Sequence, residues 1–189
     1  MRVRDVITEH PTILFVGINP GETSGKVGHH FAGPGNPFWR LLHASGLTPI
    51  ELRADEDQRL AEFGYALTNL CARTTKTAAE LTRDDLARGA AQLRKKVRAM
   101  QPAVVALVGL TLYPLVVGRE RVRGAPKQVL TPGAGAKPEL VEGARLFVVP
   151  NPSGLNASFP SFEAKLVWFR QLAAFAGAAG AGNPPATST

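Results

Sequence analysis

Three short apolar runs, each closed by glycine or proline, constrain this chain more than any other feature. They are residues 12–17 (TILFVG), 103–109 (AVVALVG) and 145–150 (RLFVVP), all rich in valine and leucine and all too short for ordinary helices. None alternates apolar with polar residues. Continuous apolar runs of this kind suit strands covered on both faces, as in a parallel sheet. Residues 64–70 (GYALTNL) make a weaker fourth candidate.

Helical spacing lies between the runs. Leu86, Ala90, Leu93, Val97 and Met100 step by four and three, with Arg88, Arg94, Lys95, Lys96 and Arg98 on the other faces. Phe162, Leu166, Phe169, Ala173 and Ala176 form a second apolar stripe near the C-terminus. Residues 37–45 (PFWRLLHAS) predict a short helix ended by Gly46, and another helical stretch begins at Leu110. This alternation predicts an α/β fold, a three-layer sandwich with a central, mostly parallel sheet of about four or five strands flanked by helices. A length of 189 residues suits one domain, read here as residues 1–176. Residues 177–189 (GAAGAGNPPATST) read as a flexible tail, and the Pro/Gly stretch 124–138 as a surface loop.

Composition narrows the function classes. The chain is 44% hydrophobic and 20% charged, a globular mix. Its 22 Lys and Arg against 15 Asp and Glu leave a formal charge of +7, which favours a polyanionic partner. Cys71 is the only cysteine, so an internal disulfide, a CxxC redox pair and a cysteine-based zinc site are excluded. Residues 1–11 lack the apolar core of a secretory leader, and the longest apolar stretch, residues 103–112, is too short to span a bilayer. A soluble, cytoplasmic protein with no membrane partner is expected.

Two of the strands run straight into polar turns, residues 17–21 (GINPG) and 151–156 (NPSGLN). In open α/β sheets, ligands sit beyond the carboxyl ends of strands, so neighbouring strands would open both turns on one crevice. Turns of this composition also serve as plain connections. Residues 21–39 add a long, glycine-rich segment without periodicity, and loops of that length in compact domains are commonly functional. Neither GxGxxG nor GxxxxGK[ST] is present. His29 and His30 have only His10 and His43 to complete a metal set, with no acidic cluster, so no metal and no cofactor are expected.

Residues 17–39, GINPGETSGKVGHHFAGPGNPFW, resemble the first motif of the mismatch-specific uracil-DNA and thymine-DNA glycosylases, a branch of the uracil-DNA glycosylase superfamily. Residues 148–159, VVPNPSGLNASF, resemble the second motif of that branch, and residues 67–81, LTNLCARTTKTAAEL, the stretch between. The likeness covers roughly residues 12–176. It implies an enzyme that extrudes a damaged or mispaired pyrimidine from double-stranded DNA and cuts its N-glycosidic bond. A base inside a duplex is out of reach, so flipping is a physical requirement.

The resemblance assigns roles residue by residue. Asn19 matches the asparagine that positions water at C1′; by itself it reads as the cap of an Asn-Pro-Gly turn. Phe31 matches the aromatic that stacks on the flipped base, with the Ile18 and Phe31 backbones at the pyrimidine edge. Ser24 matches the position facing C5, where serine accompanies uracil preference. Residues 28–31 (GHHF) resemble the thymine-DNA glycosylase version of the loop instead, in which a histidine matching His30 assists. Substrate breadth therefore stays open between the two subtypes. Gly154, Leu155 and Asn156 match the wedge that fills the space left by the base. Asn151 is expected to orient the motif backbone, and Ser153 to meet a phosphate or support the turn.

No carboxylate accompanies Asn19 in its motif except Glu22. Asp84 and Asp85 open the helix after residues 73–81, and Asp84 is a candidate auxiliary base if that helix start faces the crevice; acidic residues also favour helix N-termini through the macrodipole. Lys26, Arg73, Lys76 and residues 119–127 are candidate phosphate contacts, whereas residues 88–98 read equally as a solvated helix face. The expectation is a monomeric, monofunctional glycosylase of base excision repair, associated with the bacterial nucleoid. Position 19 is asparagine, and neither motif offers a lyase lysine. The alternatives are a non-catalytic binder of mismatches or abasic sites on the same scaffold, and a nucleotide enzyme with a doubly wound sheet.

Overall fold

The computed structural model describes residues 3–118, 131–153 and 158–180. The apolar runs become β1 (Ile13–Gly17), β2 (Tyr65–Asn69), β3 (Val104–Val108) and β5 (Ala144–Val149), with one further strand, β4 (Gly135–Val141). The sheet order is β2-β1-β3-β5-β4. All neighbours run parallel except β4, which pairs antiparallel with β5. The helices are α1 (Glu22–Val27), α2 (Phe38–Ala44), α3 (Arg83–Met100), α4 (Leu112–Val117) and α5 (Phe162–Gly180). A 3-10 segment, Ala54–Phe63, precedes β2.

Every residue of β1 and β3 is buried, because helices cover both faces of the sheet. Leu14, Val16, Val105, Leu107, Leu146 and Val148 point to a core shared with Leu93 and Val97 of α3 and Leu112 and Val116 of α4. Ile13, Phe15, Val104, Ala106, Phe147 and Val149 point the other way, to Phe38 and Leu42 of α2 and Phe169 and Leu172 of α5. Alternation within each strand thus supplies two cores, and each fully buried large side chain contributes about 1.5–3 kcal/mol of transfer free energy. Val6 pairs with Leu67 through two backbone hydrogen bonds of 2.8 and 3.0 Å and so covers the β2 edge.

Two expectations need correction. Residues 135–138 are not loop but the start of β4. This is an edge strand with a register shift between Lys137 and Leu140, where Pro138, which has no N–H to donate, is tolerated. It joins β5 through Glu142 and Gly143, at φ 49° and 86°, the left-handed pair of a two-residue hairpin turn. The expected tail begins at residue 177, but α5 continues to Gly180. Residues 124–130 and 181–189 lie outside the described residues.

The basic face of α3 is largely neutralised by ion pairs. Arg94 and Arg98 meet Glu142 at 3.3 and 2.9 Å, Lys96 meets Asp5 at 2.7 Å, and Arg88 meets Asp85 at 3.1 Å. Pairs this exposed contribute little stability, about 0–1 kcal/mol each. Inside the same helix, Gly89 lies against the chain after β2. A Cβ there would sit 2.5 Å from the Leu70 carbonyl oxygen and 3.1 Å from Cys71 Sγ. Backbone cannot yield cheaply, so Gly89→Ala is expected to cost about 1–3 kcal/mol and to lower the melting temperature by about 2–4 °C per kcal/mol. A thermal melt unchanged by the substitution would contradict this packing.

Candidate active site

The chain passes from β1 to β2 on one side and then crosses back over β1 to β3, which makes a topological switch point at the carboxyl end of β1. A crevice of about 390 Å³ opens there, beyond the ends of β1, β2, β3 and β5. Its lining brings together Ile18, Asn19, Ser24, His30, Phe31, Asn151 and Ser153 from two turns far apart in sequence. Gly154, Leu155 and Asn156 lie outside the described residues, as do residues 119–127.

Residues 17–21 are held by the chain that follows β2. Leu70 N–H donates to Gly17 O at 2.8 Å, Cys71 N–H to Ile18 O at 2.9 Å, and Thr75 N–H to Pro20 O at 3.2 Å. The Asn19 amide nitrogen closes this ribbon, donating to Arg73 O at 3.0 Å and to Thr75 Oγ1 at 2.7 Å, with Pro20 O at 3.2 Å. Thr75 Oγ1 itself donates to Thr77 O at 2.8 Å, so it accepts from Asn19. Both neighbours being acceptors, the NH2 end of the amide must face them. Asn19 Oδ1 is thereby left with no donor among the described residues and is free to accept a hydrogen bond from a water.

Phe31 follows with φ at 51°, a left-handed backbone that costs a non-glycine residue roughly 1–2 kcal/mol. Strain of this kind collects at functional sites. The ring stacks on Phe38 with centroids 3.9 Å apart and planes 22° apart. One face is therefore committed to Phe38, and the other is the face a planar base could take. Ser24 is buried, and its Oγ accepts from Ala32 N–H at 3.1 Å, tying α1 to the loop after Phe31.

His30 is 2% exposed and held at four points. Its N–H donates to Asp57 Oδ2 at 2.9 Å, and its carbonyl accepts from Trp39 Nε1 at 3.2 Å. Ring Nε2 lies 2.9 Å from Arg4 O, an acceptor, so Nε2 carries the proton; Nδ1 then accepts from Asn69 Nδ2 at 3.4 Å. Burial lowers its pKa below the ordinary 6.5, outweighing the Arg4 carbonyl and the charges of Asp57 and Asp5, while Lys96 lowers it further. With both ring nitrogens engaged and the ring neutral, His30 is built to shape the crevice wall. The folded state resists a proton that the unfolded chain takes up below pH 6.5. Stability should therefore rise with pH up to about 6.5 and fall as the pH drops below it. Melting midpoints at several pH values are expected to show this slope in the wild type and a shallower one in His30→Gln; equal slopes would contradict it.

The second turn is braced from α5. Asn151 Oδ1 accepts from Ser153 N–H at 3.0 Å, and the buried Lys165 ammonium donates to Pro152 O at 3.2 Å.

Asp84 does not join the crevice. It is exposed on the first turn of α3 and does not line the cavity. Asp85, beside it, caps the helix with Thr82 and pairs with Arg73 at 3.0 Å. Hydrogen bonds from Thr82 and the guanidinium groups of Arg73 and Arg88 hold its carboxyl down at about 2, too weak for a base. Among the described lining residues, Glu22 supplies the one carboxylate. Asn69 and Thr75 are crevice residues that sequence reasoning missed: Thr75 Oγ1 accepts from Asn19, and a Cβ on Gly17 would lie 2.5 Å from Asn69 Oδ1, so the Asn69 side chain lies across the end of β1. Asn69 ends β2 as a polar residue, but no family motif marked it as one marked Asn19.

A model of the uracil DNA glycosylase superfamily matches residues 5–173, nearly the whole described chain. The chain belongs to that superfamily. Its members are DNA glycosylases, hydrolases that act on DNA. The matched span contains both turns of the crevice, the ribbon that fixes Asn19 and Lys165, which braces Pro152. Among the described residues no helix is long and apolar enough to cross a membrane.

Proposed function

We propose that this member of the superfamily is a monofunctional glycosylase of the mismatch-specific branch. It extrudes uracil, and other damaged or mispaired pyrimidines, from double-stranded DNA and hydrolyses the N-glycosidic bond to leave an abasic site. The observation that carries the reading is the Asn19 amide, whose nitrogen is locked to Arg73 O and Thr75 Oγ1 while its oxygen stays open.

In this mechanism the flipped pyrimidine stacks on the open face of Phe31, an interaction worth about 1–3 kcal/mol per base. Asn19 Oδ1 accepts a hydrogen bond from the water and aims its lone pair at C1′. The C1′–N1 bond breaks, the sugar becomes oxocarbenium-like, and the base leaves with the bonding pair. Water oxygen bonds to C1′, and its surplus proton ends on the departing base or in solvent. An amide is too weak a base to take that proton, so Asn19 acts by orientation and electrostatic support. Backbone groups of Ile18 and Phe31 at the pyrimidine edge stabilise the leaving anion. Leu155, flanked by Gly154 and Asn156, fills the vacated stack, and Ser153 meets a phosphate. Lys76, exposed at the crevice, adds sequence-independent affinity that falls with salt.

The test is a panel of duplexes carrying U·G, U·A or T·G, with single-stranded uracil DNA beside them, in EDTA and under single-turnover conditions. Release from U·G first, with T·G slow because of Ser24, and no borohydride-trapped covalent adduct, is the expected outcome. Release from free nucleosides but not from DNA would overturn the reading.

A further inference from the structure

The 3-10 segment Ala54–Phe63 carries four acidic residues. Asp55, Glu56 and Glu62 lie on the outside and pair with Arg53 or Arg59. Asp57 turns inward and is 1% exposed. Its Oδ2 accepts from His30 N–H at 2.9 Å, and its Oδ1 lies 3.2 Å from His29 Nδ1 and 3.4 Å from Gln58 Nε2. No lysine or arginine pairs with it among the described residues. A buried carboxylate without a fixed cation is costly, and a loop that needed only closure could use a neutral acceptor. Asp57 grips the peptide that enters His30, one residue before Phe31, and the next peptide, the one that delivers Phe31 in its left-handed conformation, is held at its carbonyl by Trp39. Something must hold that strained backbone: these two hydrogen bonds fix the chain on its N-terminal side, and Ala32 N–H, donating to Ser24 Oγ, fixes it on the other.

We propose that Asp57 is a positioning residue for base excision: through the His30 N–H and the His29 ring it fixes the loop that presents His30 and Phe31 to the flipped pyrimidine. The proposal rests on the glycosylase reading for its effect on rate, but its structural half is testable without activity. Asp57 touches neither DNA nor the reacting atoms; its influence passes through residues 29–31. A carboxylate here is stronger as an acceptor than a neutral amide, yet asparagine retains an oxygen for the His30 N–H.

The experiment compares wild type, Asp57→Ala and Asp57→Asn in single-turnover uracil release, in affinity for undamaged duplex, and in amide exchange. Asp57→Ala is expected to slow release by about tenfold or more, as misplacement of a positioned group does. Affinity for undamaged duplex should hold, amides at residues 29–32 should exchange faster, and those of β1 and β3 should be unchanged. Asp57→Asn, which keeps an oxygen for the His30 N–H but is the weaker acceptor, should recover part of the rate. Release and local exchange both unchanged in Asp57→Ala would overturn the proposal. So would slowing accompanied by equal loss of protection across the sheet, which marks a merely structural residue; if Asp57→Ala does not fold, a wild-type rate and wild-type exchange at residues 29–32 with Asp57→Leu or Asp57→Ser decides against it. A wild type that releases no uracil would overturn the glycosylase reading alone, and the exchange comparison would still judge the clamp.

Discussion

Asn19→Ala is expected to lower the single-turnover rate of uracil release by about 10²-fold or more, because a water that is no longer oriented must find C1′ unaided. The effect should fall on rate and spare affinity. Asn19 contacts Arg73 O, Thr75 Oγ1 and Pro20 O within the protein, and nothing in its placement grips a phosphate. The fold should survive, since the acceptors that lose their donor lie at an accessible crevice and can turn to water, at a cost of about 1 kcal/mol. Quantifying free uracil and duplex binding on the same preparation checks both halves. A variant that binds and releases like the wild type would remove Asn19 from the mechanism.

Phe31→Ala is expected to lower release at subsaturating enzyme by about 5- to 150-fold, the equivalent of the roughly 1–3 kcal/mol carried by one base–aromatic stack. Part of the loss arises inside the protein. The stacked pair with Phe38 disappears, and alanine at φ 51° keeps the backbone strain without the ring contact that offsets it. Phe31→Tyr keeps a ring over Phe38 and should retain most of the activity. Release measured across enzyme concentrations separates a weaker base complex from a slower bond cleavage; an unchanged profile for Phe31→Ala would mean that the base lies elsewhere in the crevice.

How legible each element was depended on how many of its faces are buried. β1, β3 and β5 could be read directly, because strands covered on both sides must be apolar throughout. β4 could not, since an edge strand that exposes Ala136, Pro138 and Leu140 and carries a register shift looks like a loop. Its one local signal was Glu142-Gly143, a turn pair immediately before a strong strand. The motif turns were readable because strand ends, glycine and a family likeness coincide there. Asp57 was not, since nothing in the surface-like run of residues 54–58 (ADEDQ) distinguishes the inward carboxylate from its outward neighbours; only the fold shows it against His29 and His30. For Asp84 and Asp85 the capping geometry decides. The residue three after Thr82 is drawn back to the helix start, and its neighbour is left in solvent.

The central claim is that a base-stacking crevice and a locked amide act together on DNA. Its most direct test is the yield of free uracil from a U·G duplex mixed with excess wild-type protein, with bound and unbound duplex quantified in the same samples. One equivalent of uracil per duplex, appearing together with an alkali-labile abasic site, is the predicted result. Tight binding of the duplex with no uracil released would contradict it, and would mean that the scaffold recognises DNA without cutting the glycosidic bond.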